Sequence, residues 1–143
     1  MSTVKQKLSQ IKRRLKTFCK TKQSHVRKDY EHGFRLYQSD GTYYSEYSVA
    51  LWVNEDIMTN KFTVYVTMDS TMFTNTFIIE LLNYKSKKFD TLSEAIDELN
   101  RFVKEDLSIA LDTHDMYVEK ILNIQKEAKK NFTKINNQLK KGN

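Results

Sequence analysis

Lys5, Lys7, Lys12, Arg13, Arg14, Lys16, Lys20, Lys22, Arg27 and Lys28 stand within the first 28 residues, and no Asp or Glu accompanies them. Side chains of this kind do not break bonds by themselves. Held at regular spacing they neutralise an array of anions, and a nucleic-acid backbone is such an array, each contact releasing condensed counterions. Lys12, Arg13, Arg14, Lys16, Lys20, Arg27 and Lys28 are the candidate contacts here, with Lys126, Lys130 and Lys134 near the other end of the chain. Residues 29–115 hold seven basic and 16 acidic side chains, whereas residues 116–143 hold seven and two, so an acidic middle separates two basic ends. The net charge of +6 conceals that partition.

Three uses of the N-terminal charge compete. It meets the phosphates of a nucleic acid or an acidic groove on a protein that handles nucleic acid; it docks on the chain's own acidic middle; or it lies in an anionic lipid interface or acts as a targeting peptide. A second binding candidate is aromatic. Tyr37, Tyr44, Trp52 and Tyr65 share one face of a predicted sheet, where bases could stack at about 1–3 kcal/mol each or a protein partner could find a Tyr/Trp hot spot. The alternative is that a helix covers these rings and they are core.

Catalytic chemistry finds little support. His25, His32 and His114 are far apart and lack metal-ligand spacing, and the three glycines stand alone at 33, 41 and 142, so no phosphate loop exists. His114 falls on an apolar helical stripe, where a core or hinge role is expected. Cys19 has Lys16 and Lys20 nearby to favour a thiolate, but beside Phe18 a small buried hydrophobe is the simpler reading. Glu55-Asp56 and Glu105-Asp106 point to different sides of their elements and make no shared carboxylate site. No enzyme, metal, cofactor or small-molecule substrate is expected.

These residues need elements to hold them. The chain has 143 residues, room for one domain, and 39% hydrophobic with 12% aromatic content is too much for a disordered one. Proline is absent where average usage of about 5% would supply about seven, so long helices can run unbroken. One cysteine excludes an internal disulfide and fits a reducing compartment; no apolar run reaches the roughly 18 residues of a membrane span, and a cytoplasmic location is expected.

Val4, Leu8, Ile11, Leu15 and Phe18 step by four and three, predicting a helix with a narrow apolar seam inside a basic arm over 1–28. From 33 to 84, within an antiparallel sheet region expected over 29–84, the period changes to two. Strands are predicted at "GFRLYQ", "TYYSEYSVALWV", "KFTVYVTM" and "MFTNTFIIELL", with a hairpin at Asp40-Gly41 and a turn at Met68–Thr71. Tyr47, Val49, Leu51, Val53, Phe62, Val64, Val66, Phe77, Ile79 and Leu81 then share the inward face. A helical region follows over 91–141: Thr91 and Glu94 have capping-box spacing, "DTHD" at 112–115 offers a break, and Val118, Ile121, Gln125, Ala128, Phe132, Ile135 and Leu139 step by three and four.

The expectation is a single α+β domain over 1–143: an N-terminal basic helix, a four-stranded antiparallel meander and two C-terminal helices, the last long and heptad-like. If the N-terminal seam pairs with the stripe from Val118 to Leu139, two basic helices lie side by side, a repulsive arrangement that an anionic partner relieves. "KSKK" at 85–88 ahead of a helix is similar to the arrangement in double-stranded-RNA-binding domains. The helix that follows, however, opens with Asp90, Glu94, Asp97 and Glu98 where that family carries lysines, so no family is assigned. The expected function is non-enzymatic binding: a regulator or inhibitor of the phage or mobile-element type that engages a nucleic-acid-handling complex through its basic helices. Direct DNA or RNA binding is the alternative. A structural protein forming a coiled-coil homodimer through Val118, Ile121, Ala128, Phe132, Ile135 and Leu139 is the other.

Overall fold

Thr3 begins the first helix. The Gln6 backbone N–H donates to Thr3 Oγ1 at 3.1 Å and the Thr3 N–H donates to Gln6 Oε1 at 2.9 Å, a reciprocal capping box that starts α1 (Val4–Lys22). The computed structural model describes residues 2–22, 24–38, 47–70 and 79–141. The architecture is α+β: α1, then β1 (Ser24–Lys28), β2 (Gly33–Gln38), β3 (Tyr47–Asp56), β4 (Lys61–Ser70) and β5 (Ile79–Lys85), then α2 (Leu92–Glu105) and α3 (Leu107–Lys141). The chain divides into two compact units, residues 1–110 and 111–143.

In the first unit the five strands form an antiparallel meander in chain order. The sheet thus has five strands where four are expected from sequence. The extra one is β1, which pairs Ser24 with Gln38 through Lys28 with Phe34. Val26 is its only apolar residue, too weak a period-two signal to separate it from the basic arm, so Arg27 and Lys28 are strand residues. The predicted turn at Met68–Thr71 is also replaced, because β4 continues to Ser70 and its pairing with β5 shifts register between Met68 and Asp69. That irregularity sets Leu82 opposite Met68 and Tyr84 opposite Val66, so these residues take inward positions and Leu81 falls between pairs. The Asp40-Gly41 hairpin, Tyr44 and Phe77 lie outside the described residues.

Phe34, Leu36, Val49, Leu51, Val53, Val64, Val66 and Met68 are buried on one face of the sheet, and α1 and α2 cover it. Ile11 and Leu15 of α1 and Ala95, Ile96, Leu99, Phe102 and Val103 of α2 complete the core. Within the first unit the α1 seam is therefore occupied by α2, β1 and β2. Lys7 seals the α1–α2 contact, donating to Ser93 Oγ at 2.7 Å with its Nζ 2.7 Å from an Asp97 carboxylate oxygen.

Thr91 caps α2 as its spacing predicts: its Oγ1 accepts the Glu94 N–H at 3.1 Å and donates to Glu94 Oε1 at 2.8 Å. The helix ends at Asp106 rather than in 112–115. Arg101 reaches Glu98 at 2.7 Å, Asp106 at 3.0 Å and Glu105 at 3.1 Å, and this cluster fastens the junction between α2 and α3.

Candidate anionic-partner interface

Burial of Ile11 and Leu15 decides where the α1 charges point. At about 100° per residue, Lys5, Lys12, Arg13, Lys16 and Lys20 fall within an arc of roughly 100° on the side away from those two leucine-type anchors. All five are exposed, and among the described residues none has an ion pair or a hydrogen bond to an acidic side chain. Lys5, Lys12, Arg13 and Lys16, with Gln6 and Ser9 between them, line an open depression of about 490 Å³. Lys12, Lys16 and Lys20 repeat every fourth residue, about 6 Å apart along the axis. The arrangement is a row of cations with polar hydroxyl and amide groups between them, suited to a line of anionic oxygens.

The other sequence-selected cations separate from this row. Arg14 lies at the seam's edge, half-buried, and its Nε is enclosed without a hydrogen-bond partner. Arg27 projects from β1, 3.8 Å from Asp29, with its guanidinium 5.9 Å from the Tyr37 ring centre. Lys28, also exposed, ends the same strand. In the second unit Lys126, Lys130 and Lys134 are exposed on α3.

The outer face of the sheet carries the aromatic candidates, and within the first unit both helices lie on the opposite face. Trp52 sits opposite Tyr65 in the β3–β4 register, and their rings stack with centroids 5.3 Å apart and planes 17° apart. Tyr30, in the β1–β2 turn, stacks on Trp52 at 4.6 Å and 13°. Lys85 Nζ lies 5.8 Å from the Tyr65 ring centre, closing a row of Tyr30, Trp52, Tyr65 and Lys85. Tyr37 belongs to a neighbouring row, between Arg27 and a tilted His25 ring at 5.3 Å. Gly33 makes the Trp52 row possible, since a Cβ there would lie 2.6 Å from Trp52 Cβ and 2.4 Å from Leu51 O.

Sequence reasoning missed Tyr30, Arg35 and Lys85. Tyr30 is a turn residue, so no alternation marks it, and its φ of 61° is a left-handed conformation uncommon for a tyrosine. Asp29 supports that turn by accepting the Tyr30 N–H at 3.0 Å and the Arg35 Nε at 2.9 Å, and the Arg35 contact holds its carboxyl below the usual range. Arg35 also donates to Ser48 Oγ at 2.8 Å, so it is spent on structure. Across the same face Asp69 has its carboxyl pushed up, chiefly by burial and then by Glu80 beside it, with Arg35 pulling the other way. At the end of β3 the turn before β4 exposes Ile57 by 85% and Met58 by 91%. Both border an open trough of about 360 Å³ lined also by Asp56, Tyr65, Lys85 and Lys88.

The residues weighed for catalysis are dispersed. Burial pushes the Cys19 thiol up, away from the thiolate a nucleophile needs. His114 is buried, and burial lowers its pKa while Asp115, 3.7 Å from Nδ1, opposes the shift. Among the described residues no group of three or more His, Cys, Asp or Glu could hold a metal ion, and no helix is long and apolar enough to cross a membrane. No protein-family model matches the chain, and no curated protein and no solved structure matches it.

Proposed function

We propose that the protein is a non-enzymatic binding protein that engages a nucleic-acid-handling complex through the outer face of α1, with backbone phosphates as the groups that face contacts. The observation that carries this reading is the fate of the cations. Lys7 and Arg35 are folded back onto the chain's own carboxylates, while Lys5, Lys12, Arg13, Lys16 and Lys20 are exposed and, among the described residues, have no ion pair with an acidic side chain. Self-neutralisation by the acidic middle thus accounts for Lys7 and leaves the row of five available. Concentrated like charge repels itself, and an external anion relieves that cost.

The experiment is retention of duplex DNA, single-stranded DNA and RNA as a function of salt. Five phosphate contacts give a slope of log affinity against log salt of about −4 to −5, at roughly −0.9 per contact on duplex. Exchange of Lys12, Arg13 and Lys16 for Glu should remove most of it. Absence of retention on all three polymers at low salt would refute direct phosphate contact.

A second reading, an inhibitor or regulator of the phage or mobile-element type whose basic row enters an acidic groove of a protein, draws support from the outer sheet face. The faces of Trp52 are taken by Tyr30 and Tyr65, which leaves little ring surface for a base. A ridge of Tyr and Trp beside exposed Ile57 and Met58 has the composition of a protein interface. A stoichiometric complex with a nuclease or polymerase that survives nuclease treatment, lost on Trp52→Ala, would favour this form over the first.

A further inference from the structure

The second unit is a helix with an apolar stripe that is largely open. Phe132, Ile135 and Leu139 are exposed by 65%, 49% and 63%, and Ile124 and Leu122 add to the same side. Helices of this kind draw most of their stability from a packed face, because propensity alone leaves an isolated helix marginal in water. We propose that residues 118–139 of α3 assemble with a second copy of this chain as a parallel, in-register coiled coil.

Spacing supplies the first argument. Val118, Ile121, Gln125, Ala128, Phe132, Ile135 and Leu139 alternate steps of three and four without interruption, which assigns Val118, Gln125, Phe132 and Leu139 to heptad position a and Ile121, Ala128 and Ile135 to position d. The seam is about 32 Å long at 1.5 Å per residue. Strict seven-residue repetition is the pattern that keeps one stripe facing a partner along its whole length.

Charge placement says which partner. The positions flanking the seam are Tyr117, Leu122, Ile124, Lys129, Asn131, Asn136 and Gln138, with one cation among them. Lys120, Lys126, Lys130, Lys134, Lys140 and Lys141 all fall on the outer b, c and f positions. An acidic foreign helix would find almost no cations where its own flanks lie, and so gains nothing from the +5 charge of this segment. A copy of the same helix, by contrast, brings one lysine, Lys129, to each flank of the seam and keeps the other six on the outer b, c and f positions. Flank composition thus makes the segment compatible with itself, the electrostatic form of complementarity that selects coiled-coil partners.

Polar residues set direction. In a parallel, in-register pair Gln125 lies opposite Gln125 of the second copy, amide to amide, and Asn131 meets Asn136. Reversing one strand places Gln125 against Ala128 and leaves its amide facing apolar groups, an arrangement that buried polar groups disfavour. Assembly would also double the outer lysine face, although the proposal stands apart from the α1 reading.

Light scattering behind size exclusion, run on the full chain across micromolar to sub-millimolar concentration, tests self-association. Expected is a mass at a whole multiple of 17.0 kDa, collapsing to a single chain when Phe132 and Ile135 are changed to Asp. A single-chain mass at every concentration overturns the proposal, as does a multimer that Phe132→Asp/Ile135→Asp leaves intact. Circular dichroism of that double variant should keep the sheet signal, which separates lost assembly from failed folding. Direction is read by oxidation. Ile121→Cys in a Cys19→Ser background should form an intermolecular disulfide in glutathione buffer, since Ile121 meets Ile121 only in the parallel form; absence of that crosslink in a multimeric sample overturns the parallel register. Gln125→Ile should raise the association constant at least tenfold, because it removes the polar seam residue, and an unchanged or weaker association would place Gln125 outside the seam.

Discussion

Helices α1 and α3 are written with the same ingredients and end differently. Each has an apolar stripe at three- and four-residue steps and a basic remainder. In α1 the stripe is buried by the chain itself, with Ile11 and Leu15 at no exposure, and the outward charges are thereby fixed in place. In the second unit Phe132, Ile135 and Leu139 of the stripe stay exposed, and every lysine but Lys129 lies on the outer positions. A basic amphipathic helix is therefore two devices in one: whichever face the chain does not use is left for a partner. By that logic α1 is left with its cations and α3 with its apolar seam.

The largest expected effect tests the buried half of this contrast. Leu15→Ala empties a fully enclosed position where α1 meets the sheet and α2, and should lower stability by about 2–5 kcal/mol. Phe132→Ala removes more apolar volume from a side chain that is 65% exposed, and at concentrations low enough to hold single chains should change stability by less than about 0.5 kcal/mol. Urea unfolding followed by fluorescence of Trp52, the only tryptophan, reports both. Equal losses in the two variants would erase the distinction between the helices.

Next in size is the comparison of their charges. Changing Lys12, Arg13 and Lys16 to Glu should weaken retention on a phosphate polymer by a hundredfold or more at low salt and reduce the slope of log affinity against log salt by close to three contacts' worth, about 2.7. The matching exchange of Lys126, Lys130 and Lys134 should have the smaller effect. A reversed ranking would move the contact into the second unit.

Much of this fold is legible in the sequence, and the failures have physical causes. Thr91 and Glu94 announce α2 because a capping box is a local device, satisfied by residues three apart and independent of tertiary packing. Val49, Leu51, Val64 and Val66 declare the core face through strict alternation. By contrast, β1 is held by its ladder to β2 with Val26 as its one apolar residue, and such pairing leaves no mark on composition. The helix break was displaced for a related reason: Asp112 and Asp115 look like caps, but Arg101 gathers Glu98, Glu105 and Asp106 at the true junction, a network visible only once the backbone has turned. Of the candidate interface, the cations are readable residue by residue. Which of them the chain keeps for itself is not, because Lys7 and its partner Asp97 are far apart in sequence and meet only on folding. Tyr30 joins the aromatic row from a turn, where periodicity has nothing to say.

That Arg101 network yields the next prediction. Its guanidinium, followed by the Tyr84 hydroxyl, holds the Glu98 carboxyl below its ordinary value of 4.5, against the opposing effect of burial. A carboxylate whose folded pKa is depressed contributes stability that is fully present above the unfolded value and is lost as pH falls through the folded one. Stability should therefore hold steady from pH 7 to about 5 and decline below roughly 4.5 as the unfolded chain takes up the proton first. Arg101→Met should flatten that acid limb, which urea midpoints collected every half pH unit would measure. An unaltered limb would locate the acid sensitivity elsewhere, for example at Asp29, whose carboxyl Arg35 also holds low.

The smallest effect sharpens the comparison at helix starts. Thr91 and Thr3 each accept the N–H of the residue three positions on, Glu94 and Gln6, at their hydroxyl oxygen, yet the helices they begin are placed differently. α2 starts above a bridge in which Phe62 and Phe89 exchange backbone hydrogen bonds at 2.9 and 2.7 Å, with Lys61 paired to Asp90, so its first turn cannot fray without disturbing β4. In the first turn of α1 Lys5 and Gln6 are exposed and Val4 is half-buried, so the residues ahead of Lys7, whose side chain is tied to Ser93 and Asp97, can open before the rest. Thr91→Ala should then lower global stability by about 1 kcal/mol, the usual value of a lost cap, whereas Thr3→Ala should register as faster amide exchange over residues 4–7 with a much smaller shift in the urea midpoint. If Thr3→Ala instead weakens the whole unit as much as Thr91→Ala does, the end of α1 is as firmly tied as its centre, and the cationic row from Lys5 to Lys20 is rigid along its full length.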